Sequence, residues 1–504
     1  MTMKKRIIAG VLAGVCGIMS AGCSSTKTAE ETKTTEYGDL PYVELTMVYP
    51  ISANTTQDQD MVTEKINEYL KEKLNCTVKL EALDTSTFYE KFPVMISSSE
   101  EFDIGWVNSS MLLQNVSRNA FVELDELLDK YAPETKELLP EITLEGVKVN
   151  NKLYSLPVYK EYGYGNSYYF RKDIVDKYDF DLSSLKTMRD FEPMLETIKA
   201  NEPELTPYFV ESGAMEPYIP AEEGEKYYFA VAGLPGSICF DPETEKFCNR
   251  VETEEYKNKY RILNEWNKKG YINKDAITVS ASFDEIIKGN RGWFVTTSSK
   301  PGVEDSLSTS VGTEMIRGYD EKSYVMTTSL MGSMNVISTT SKNPERAMML
   351  LNLLYTDKYL INLFNFGIEG THYKKVDENT IALPDGVTSQ NDTGYAPGID
   401  WRLGNNYNLY LWDYEKPDKW EQYRSFSENS EAEPLLGFYV DTANIKNNIA
   451  AINNLSTSYD MPLTAGVGNA DEFISEYDQK LKEAGIDTII EETQRQYDEW
   501  KKSK

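Results

Sequence analysis

The side chains able to do chemistry are unevenly supplied in this chain of 504 residues. His372 is its single histidine, and none of its five cysteines forms a CxxC pair. Zinc sites built on several His or on paired Cys are therefore excluded, and the sequence calls for no metal and no cofactor. Any Ser-His-Asp or Cys-His centre has to run through His372. Aromatic rings, by contrast, are abundant, with 34 Tyr, 18 Phe and 7 Trp. Several stand beside groups that donate and accept hydrogen bonds. Trp106 precedes Asn108 and Ser109, Tyr159 precedes Lys160 and Glu161, and Trp401 precedes Asn405. Glu369 and His372 share a loop containing Gly367 and Gly370, Tyr49 closes an apolar run and Trp293 opens one. Flat rings beside such groups stack on a ligand's apolar face and hydrogen-bond its rim. Each also has a packing explanation. Trp106 alternates with Ile104, Tyr49 can rest on the next helix, Trp293 leads an apolar strand, and His372 can be an ordinary loop histidine.

Charge narrows the classes further. With 52 Lys+Arg against 81 Asp+Glu the net charge is −29, a poor match for nucleic acid, whose phosphates need clustered cations. The apolar share of 40% suffices for packed cores at this length, and one to three domains are expected. Lys4, Lys5 and Arg6 precede an apolar stretch, Ile7 to Met19, of 13 residues, short of the ~20 needed to span a bilayer. Ser20-Ala21-Gly22 and then Cys23 follow, so residues 1–22 read as a secretory signal. Small residues before Cys23 resemble a bacterial lipobox, which implies a lipid on Cys23, although Ser20 stands where Leu is usual. Losing the signal's three cations takes the net charge to −32. Ser24 to Glu36 is Ser, Thr, Lys, Glu and Ala, and residues 23–40 are expected to be a flexible tether. Cys239 and Cys248 flank a turn, Asp241-Pro242-Glu243-Thr244; a symmetric hairpin sets them opposite each other, as a disulfide or as two thiols.

These groups need a scaffold, and the pattern from Val43 supplies α/β units. Val43 to Tyr49 alternates as a strand, Asp58 to Leu74 carries Val62, Ile66, Leu70 and Leu74 on one helical face, and Thr77 to Leu83 is a second strand. Phe88, Phe92, Met95 and Ile96 mark a helix, and Phe102 to Val107 a buried strand. The β-α-β-α-β order predicts a parallel sheet whose ligands sit beyond the strands' carboxyl ends, at Tyr49 to Ser52 and Asn108 to Ser110. Further on, Thr187 starts a helix, Gly270 stops one begun at Glu254, and Asn335 to Ser338 reads as a strand returning to the first domain. Asn343-Pro344 opens a long apolar helix, and Gly485 splits two C-terminal helices. Tyr162 to Tyr169 fits either a ligand platform or a lobe interface.

Several stretches, in order, resemble the extracellular solute-binding proteins of ABC importers. They are Phe121 to Tyr131, Tyr154 to Gly163, and Phe170-Arg171-Lys172-Asp173. Gly367 to Tyr373 is similar to a loop of the LipO-like branch, and Gly437 to Trp500, with Ala484-Gly485-Ile486-Asp487, to that branch's C-terminal domain. The resemblance implies an α/β, two-lobed, periplasmic-binding-protein-like (Venus flytrap) fold with a helical C-terminal element. It implies a first lobe over 41–160 with a return near 330–400, a second lobe over 161–329, and a C-terminal domain over 430–504. It further implies a monomer, lipid-anchored on the extracellular face, that delivers a solute to a membrane permease and catalyses nothing. In this family the solute is most often a sugar. The ligand-binding set expected on that footing is Tyr49, Trp106, Asn108, Ser109, Tyr159, Lys160, Glu161, Trp293, Glu369, His372, Trp401 and Asn405. Aromatic platforms with polar neighbours suit an oligosaccharide. A peptide binder and a secreted glycoside hydrolase with paired carboxylates are the alternatives, though no eightfold βα rhythm appears.

Overall fold

The computed structural model describes residues 32–35, 37–52, 55–212, 217 and 219–503. The expected signal and Cys23 lie outside the described residues. A five-stranded sheet organises the first lobe, in the order Cys76–Asp84, Val43–Ile51, Ile104–Val107, Met334–Ile337, Leu156–Pro157. Its first three strands are parallel, as the β-α-β-α-β pattern predicts. The last two run antiparallel to their neighbours. The helix Gln59–Lys73 buries Val62, Ile66 and Leu70. Asp84 caps the helix Thr85–Ser97 by accepting from the Thr87 N–H, and that helix turns Phe88, Phe92 and Met95 inward. At one end of the sheet the parallel strands' C-termini therefore meet the start of Met334–Ile337 and the end of Leu156–Pro157.

From that end the chain crosses between lobes three times. Gly163–Tyr164 lies antiparallel to Tyr324–Val325, which lies parallel to Glu431–Ala432. The excursion between the first two crossings builds the second lobe around an antiparallel sheet ordered Phe294–Ser298, Asn166–Arg171, Met315–Asp320. On one face Tyr168 and Phe170 pack with Phe191 and Leu195 of the helix Met188–Asn201 and Leu263 and Trp266 of Glu254–Lys268. On the other, Tyr169 and Val295 meet Leu307 and Val311 of Val303–Val311. Between the second and third crossings the chain returns to the first lobe, where Pro344–Thr356 and Lys358–Phe366 are buried.

The C-terminal element is helical: Lys446–Thr464, Ala470–Glu483 and, after Gly485 at φ +87°, Ile486–Ser503. Its apolar faces are not separate. Ile452, Tyr477 and Tyr497 share one core with Tyr168, Leu263 and Trp293. The hairpin Ile238–Asp241/Lys246–Asn249 sets Cys239 opposite Cys248, with the sulfurs 3.2 Å apart. One expectation needs correction: Thr32–Thr35 pairs antiparallel with Gly38–Pro41, so the stretch expected as a tether to residue 40 has structure from Thr32. Contacts that hold it include those from Asn352 Nδ2 to the Tyr37 hydroxyl at 3.0 Å, from Asn75 Nδ2 to the Leu40 carbonyl at 2.9 Å and from Arg346 to the Pro41 carbonyl at 3.3 Å.

Candidate functional site

The loop from Pro397 to Asn406 lies across the strand ends of the first lobe. The Ser52 N–H donates to the Pro397 carbonyl at 3.0 Å, and at the loop's far end the Tyr159 N–H donates to the Gly404 carbonyl while the Tyr159 carbonyl accepts from the Asn406 N–H, both at 2.9 Å. Gly404 makes this approach feasible: its φ is +56°, and a Cβ there would sit 2.2 Å from the Leu354 carbonyl oxygen. Buried Arg402 pins the middle, donating to the Pro50 carbonyl at 2.6 Å and to Ser52 Oγ at 3.0 Å. Its guanidinium lies 4.3 Å from the ring centre of Trp401. Trp401 remains 37% exposed. Below it, Trp106 meets it edge to face at 5.9 Å and donates its indole N–H to Ser333 Oγ at 2.7 Å. Exposed Tyr89 stands edge-on to the same Trp106, with its hydroxyl 3.4 Å from Asn108 Nδ2. Asn108 Oδ1 caps the helix Ser109–Val116 by accepting from the Met111 N–H. The result is a rigid aromatic shelf rimmed by hydroxyls and an amide.

Charge gathers where the first crossing begins. Glu161 sits 3.2 Å from Lys300 Nζ and 3.6 Å from Lys160 Nζ. Burial alone would raise its carboxyl, but the two lysines outweigh this and hold it below the usual carboxylate range. Lys300 also lies over the Tyr423 ring at 5.5 Å. On the second lobe, Arg317 pairs with Glu304 at 2.9 Å. Lys416 of the returning segment reaches Asp305 of the second lobe at 2.6 Å.

The second lobe adds a recess of about 390 Å³ beside the crossing strands. Tyr164 and Tyr324 are cross-strand neighbours there, and Tyr227 stacks on Tyr324 at 5.6 Å and 29°. Tyr227 and Asn166 donate to the two oxygens of Glu321 at 3.2 and 2.8 Å. Burial pushes this carboxyl up while the two donors oppose the shift.

The structure thus brings Trp106 and Trp401 together, with Asn108 joined to them through Tyr89 and Ser109 next to it at the helix start, and sets Lys160 and Glu161 at the crossing, whereas Tyr159 is buried in the first-lobe core against Tyr407. Asn405 shapes the loop: its amide is spent on the Tyr355 carbonyl and the Tyr407 N–H. Two expectations are corrected. Trp293 is wholly buried among Phe170, Phe180 and Phe294, with its N–H on the Pro207 carbonyl at 2.8 Å. Tyr49 is likewise buried in the first-lobe core. Tyr49 turns inward because its strand is covered on both faces, and Trp293, directly before the strand Phe294–Ser298, is held by its neighbouring rings and the Pro207 carbonyl. His372 is buried, its Nδ1 accepting from the Ile368 N–H at 2.8 Å and its Nε2 3.3 Å from Asp58. Glu369 is exposed in the same loop, and its recorded pairing is a backbone bridge to Tyr373. Missed by sequence reasoning were Tyr89, Lys300, Glu321 and Tyr227, while Arg402 lies in the polar-aromatic run Pro397 to Arg402 that the sequence offers beside Trp401. Only the Tyr227-Tyr228-Phe229 run carried a visible signal.

Comparison with known proteins agrees with this architecture. Residues 434–502 match a domain of unknown function, DUF3502. A carbohydrate ABC transporter substrate-binding protein of Streptococcus pneumoniae serotype 4 is 28% identical over 502 residues, covering 98% of each chain. The crystal structure of an N-glycan transport solute binding protein (NgtS) from Streptococcus pneumoniae superposes with a TM-score of 0.77 at 25% identity, over 91% of this chain and 98% of that one. The same protein in complex with Man5GlcNAc gives a TM-score of 0.63 at 26% identity, over 92% and 99%. A human-milk-oligosaccharide (HMO) binding solute binding protein from Bifidobacterium longum infantis shares the fold at 15% identity, with a TM-score of 0.63 over 91% and 99%. Residues 52–360, well over half of the chain, match the bacterial extracellular solute-binding protein model, and with its two lobes joined by three crossings the chain belongs to that family.

Proposed function

We propose that this protein captures an oligosaccharide outside the cell, between its two lobes, and delivers it to the membrane permease of an ABC importer. The observation that carries this is the Trp401 shelf at the strand ends. A part-exposed indole braced by Arg402 and Trp106, rimmed by Asn108 and Ser109, offers the stacking face and the bidirectional hydrogen bonds a pyranose uses. The second-lobe recess faces the crossing with tyrosines of the same character. The carbohydrate ligands of the relatives support the reading. The protein acts by binding and release without catalysis, as a monomer held at the extracellular face by lipid on Cys23.

A glycan panel read by calorimetry and by thermal midpoint tests this, since a ligand of the native state raises stability by mass action. Heat and a raised midpoint with oligosaccharides, and no cleavage products on long incubation, are expected. Heat with peptides alone would remove the sugar assignment, and hydrolysis would remove the non-catalytic one.

A further inference from the structure

The returning segment of the first lobe holds a cavity of about 240 Å³ that the shelf does not use. Trp412 and Tyr414 lie along it, 6.2 Å apart and within 3° of parallel. Trp412 is buried, whereas Tyr414 is 66% exposed and still held, its hydroxyl accepting from Gln390 Nε2 at 2.7 Å. An exposed aromatic is ordinary when solitary. A pair of aligned rings in a concave setting, one tied down by an amide, is the composition of a binding site. Polar side chains line the cavity as well. Lys419 pairs with Glu415 at 2.6 Å and lies 4.4 Å from the Trp420 ring centre. Exposed Asp400 lines the cavity, and the next residue is Trp401, so the cavity and the shelf share a lip.

Size and chemistry narrow the occupant. The volume falls below the ~300–1,000 Å³ of sites that swallow whole drug-sized ligands, so it suits one sugar ring entering from the shelf. A tyrosine face with a carboxylate, an ammonium and an amide around it meets a hexose's CH face and its equatorial hydroxyls.

We propose that this cavity is an accessory subsite for one ring of a branch or extension of the oligosaccharide whose core lies on Trp401. The inference rests on the carbohydrate reading above. The subsite selects branched or longer ligands over short linear ones, because only those carry a further ring to fill it once their core lies on the shelf.

The test is calorimetry of the whole mature protein and of Trp401→Ala, Tyr414→Ala and Gln390→Ala, using linear and branched manno- and gluco-oligosaccharides from disaccharides to heptasaccharides. Thermal denaturation confirms that each variant folds; Tyr414 and Gln390 are outside the core, so both should. Trp401→Ala should weaken every ligand. Tyr414→Ala should weaken the branched or longer ones roughly five- to thirty-fold and leave disaccharides within about twofold, with a smaller loss of the same pattern for Gln390→Ala. If Trp401→Ala is impaired while Tyr414→Ala and Gln390→Ala bind every glycan as the wild type does, the subsite is overturned and the carbohydrate reading stands. If the wild type binds no glycan at all, the carbohydrate reading falls and takes the subsite with it.

Discussion

Replacing Trp401 by alanine removes the stacking face of the shelf together with the ring's packing on Trp106 and Arg402. A tryptophan side chain presents about 250 Å², so the 37% left open corresponds to roughly 90 Å² of ring. Covering it with a sugar face at ~25 cal/mol per Å² is worth at most about 2 kcal/mol. With one face covered, the expected loss is about 1–2 kcal/mol, a five- to thirty-fold weaker Kd. The braces stay in place without it, because Arg402 is held by the Pro50 carbonyl and Ser52 and Trp106 by Ser333. Stability should still fall by about 2–4 kcal/mol, because roughly 160 Å² of buried ring is uncovered. Calorimetry with the tightest glycan of the panel, paired with thermal denaturation, reads both quantities. Trp401→Tyr should recover most of the affinity. An Ala variant that is folded and binds as tightly as the wild type would refute the shelf as the stacking surface.

The Lys416–Asp305 pair joins the lobes but is more than half exposed on each side, so it is worth ~0.2–1 kcal/mol; Lys416→Ala should shift the open–closed balance about 1.4- to 5-fold, visible as a larger radius of gyration, and an unchanged radius at low salt would contradict it. His372 is buried with its pKa below the ordinary value, burial lowering it and Asp58 only partly opposing. The unfolded chain thus takes up a proton below pH ~6.5 that the folded chain refuses, and stability falls as pH drops from there towards the folded pKa, by up to ~1.4 kcal/mol per pH unit. As the single histidine, it makes His372→Gln a clean control: urea unfolding between pH 7 and 5 should show a flatter slope, and an identical slope would refute the assignment. Cys239 and Cys248, in register with sulfurs 3.2 Å apart, should join when oxidised glutathione is added, each thiol giving up its hydrogen as the glutathione is reduced; an intact mass unchanged after treatment would refute this.

Much of the scaffold was legible because local rules governed it. The parallel start follows from apolar alternation and helical faces, the helix after Asn343-Pro344 from its cap, and the opposed cysteines from a symmetric turn. The Gly270 and Gly485 stops coincide with backbone at φ +68° and +87°. What failed concerns direction. Tyr49 sits on a strand covered on both faces and Trp293 directly before one, where alternation cannot tell a cleft from a core. Trp106 reads equally as either, and its place was decided by Ser333, more than two hundred residues away. Lys300 escaped notice, and the bracing role of Arg402 with it, because a cation in a polar loop carries no pattern; only folding brings Glu161 and Pro50 to them.

The three crossings carry a consequence for how the molecule is made. The first-lobe core draws on residues from Leu45 to Tyr162 and again from Val325 to Leu409, and the second-lobe core on Tyr168 to Phe294 and then Leu435 to Tyr497. The strand Met334–Ile337 separates Ile104–Val107 from Leu156–Pro157, so Leu156–Pro157 has no neighbour to join until residue 337 is present. A chain emerging from its N-terminus accordingly completes neither lobe early. The first can seal only after about four-fifths of the chain is out, and the second waits for the final helix. Such interleaved, long-range contacts slow folding and leave apolar surface open meanwhile. Secretion of this protein therefore favours an unfolded passage and a late, nearly simultaneous closure of both cores, and a cut before Leu435 should disable the second lobe while leaving every fully buried segment of the first.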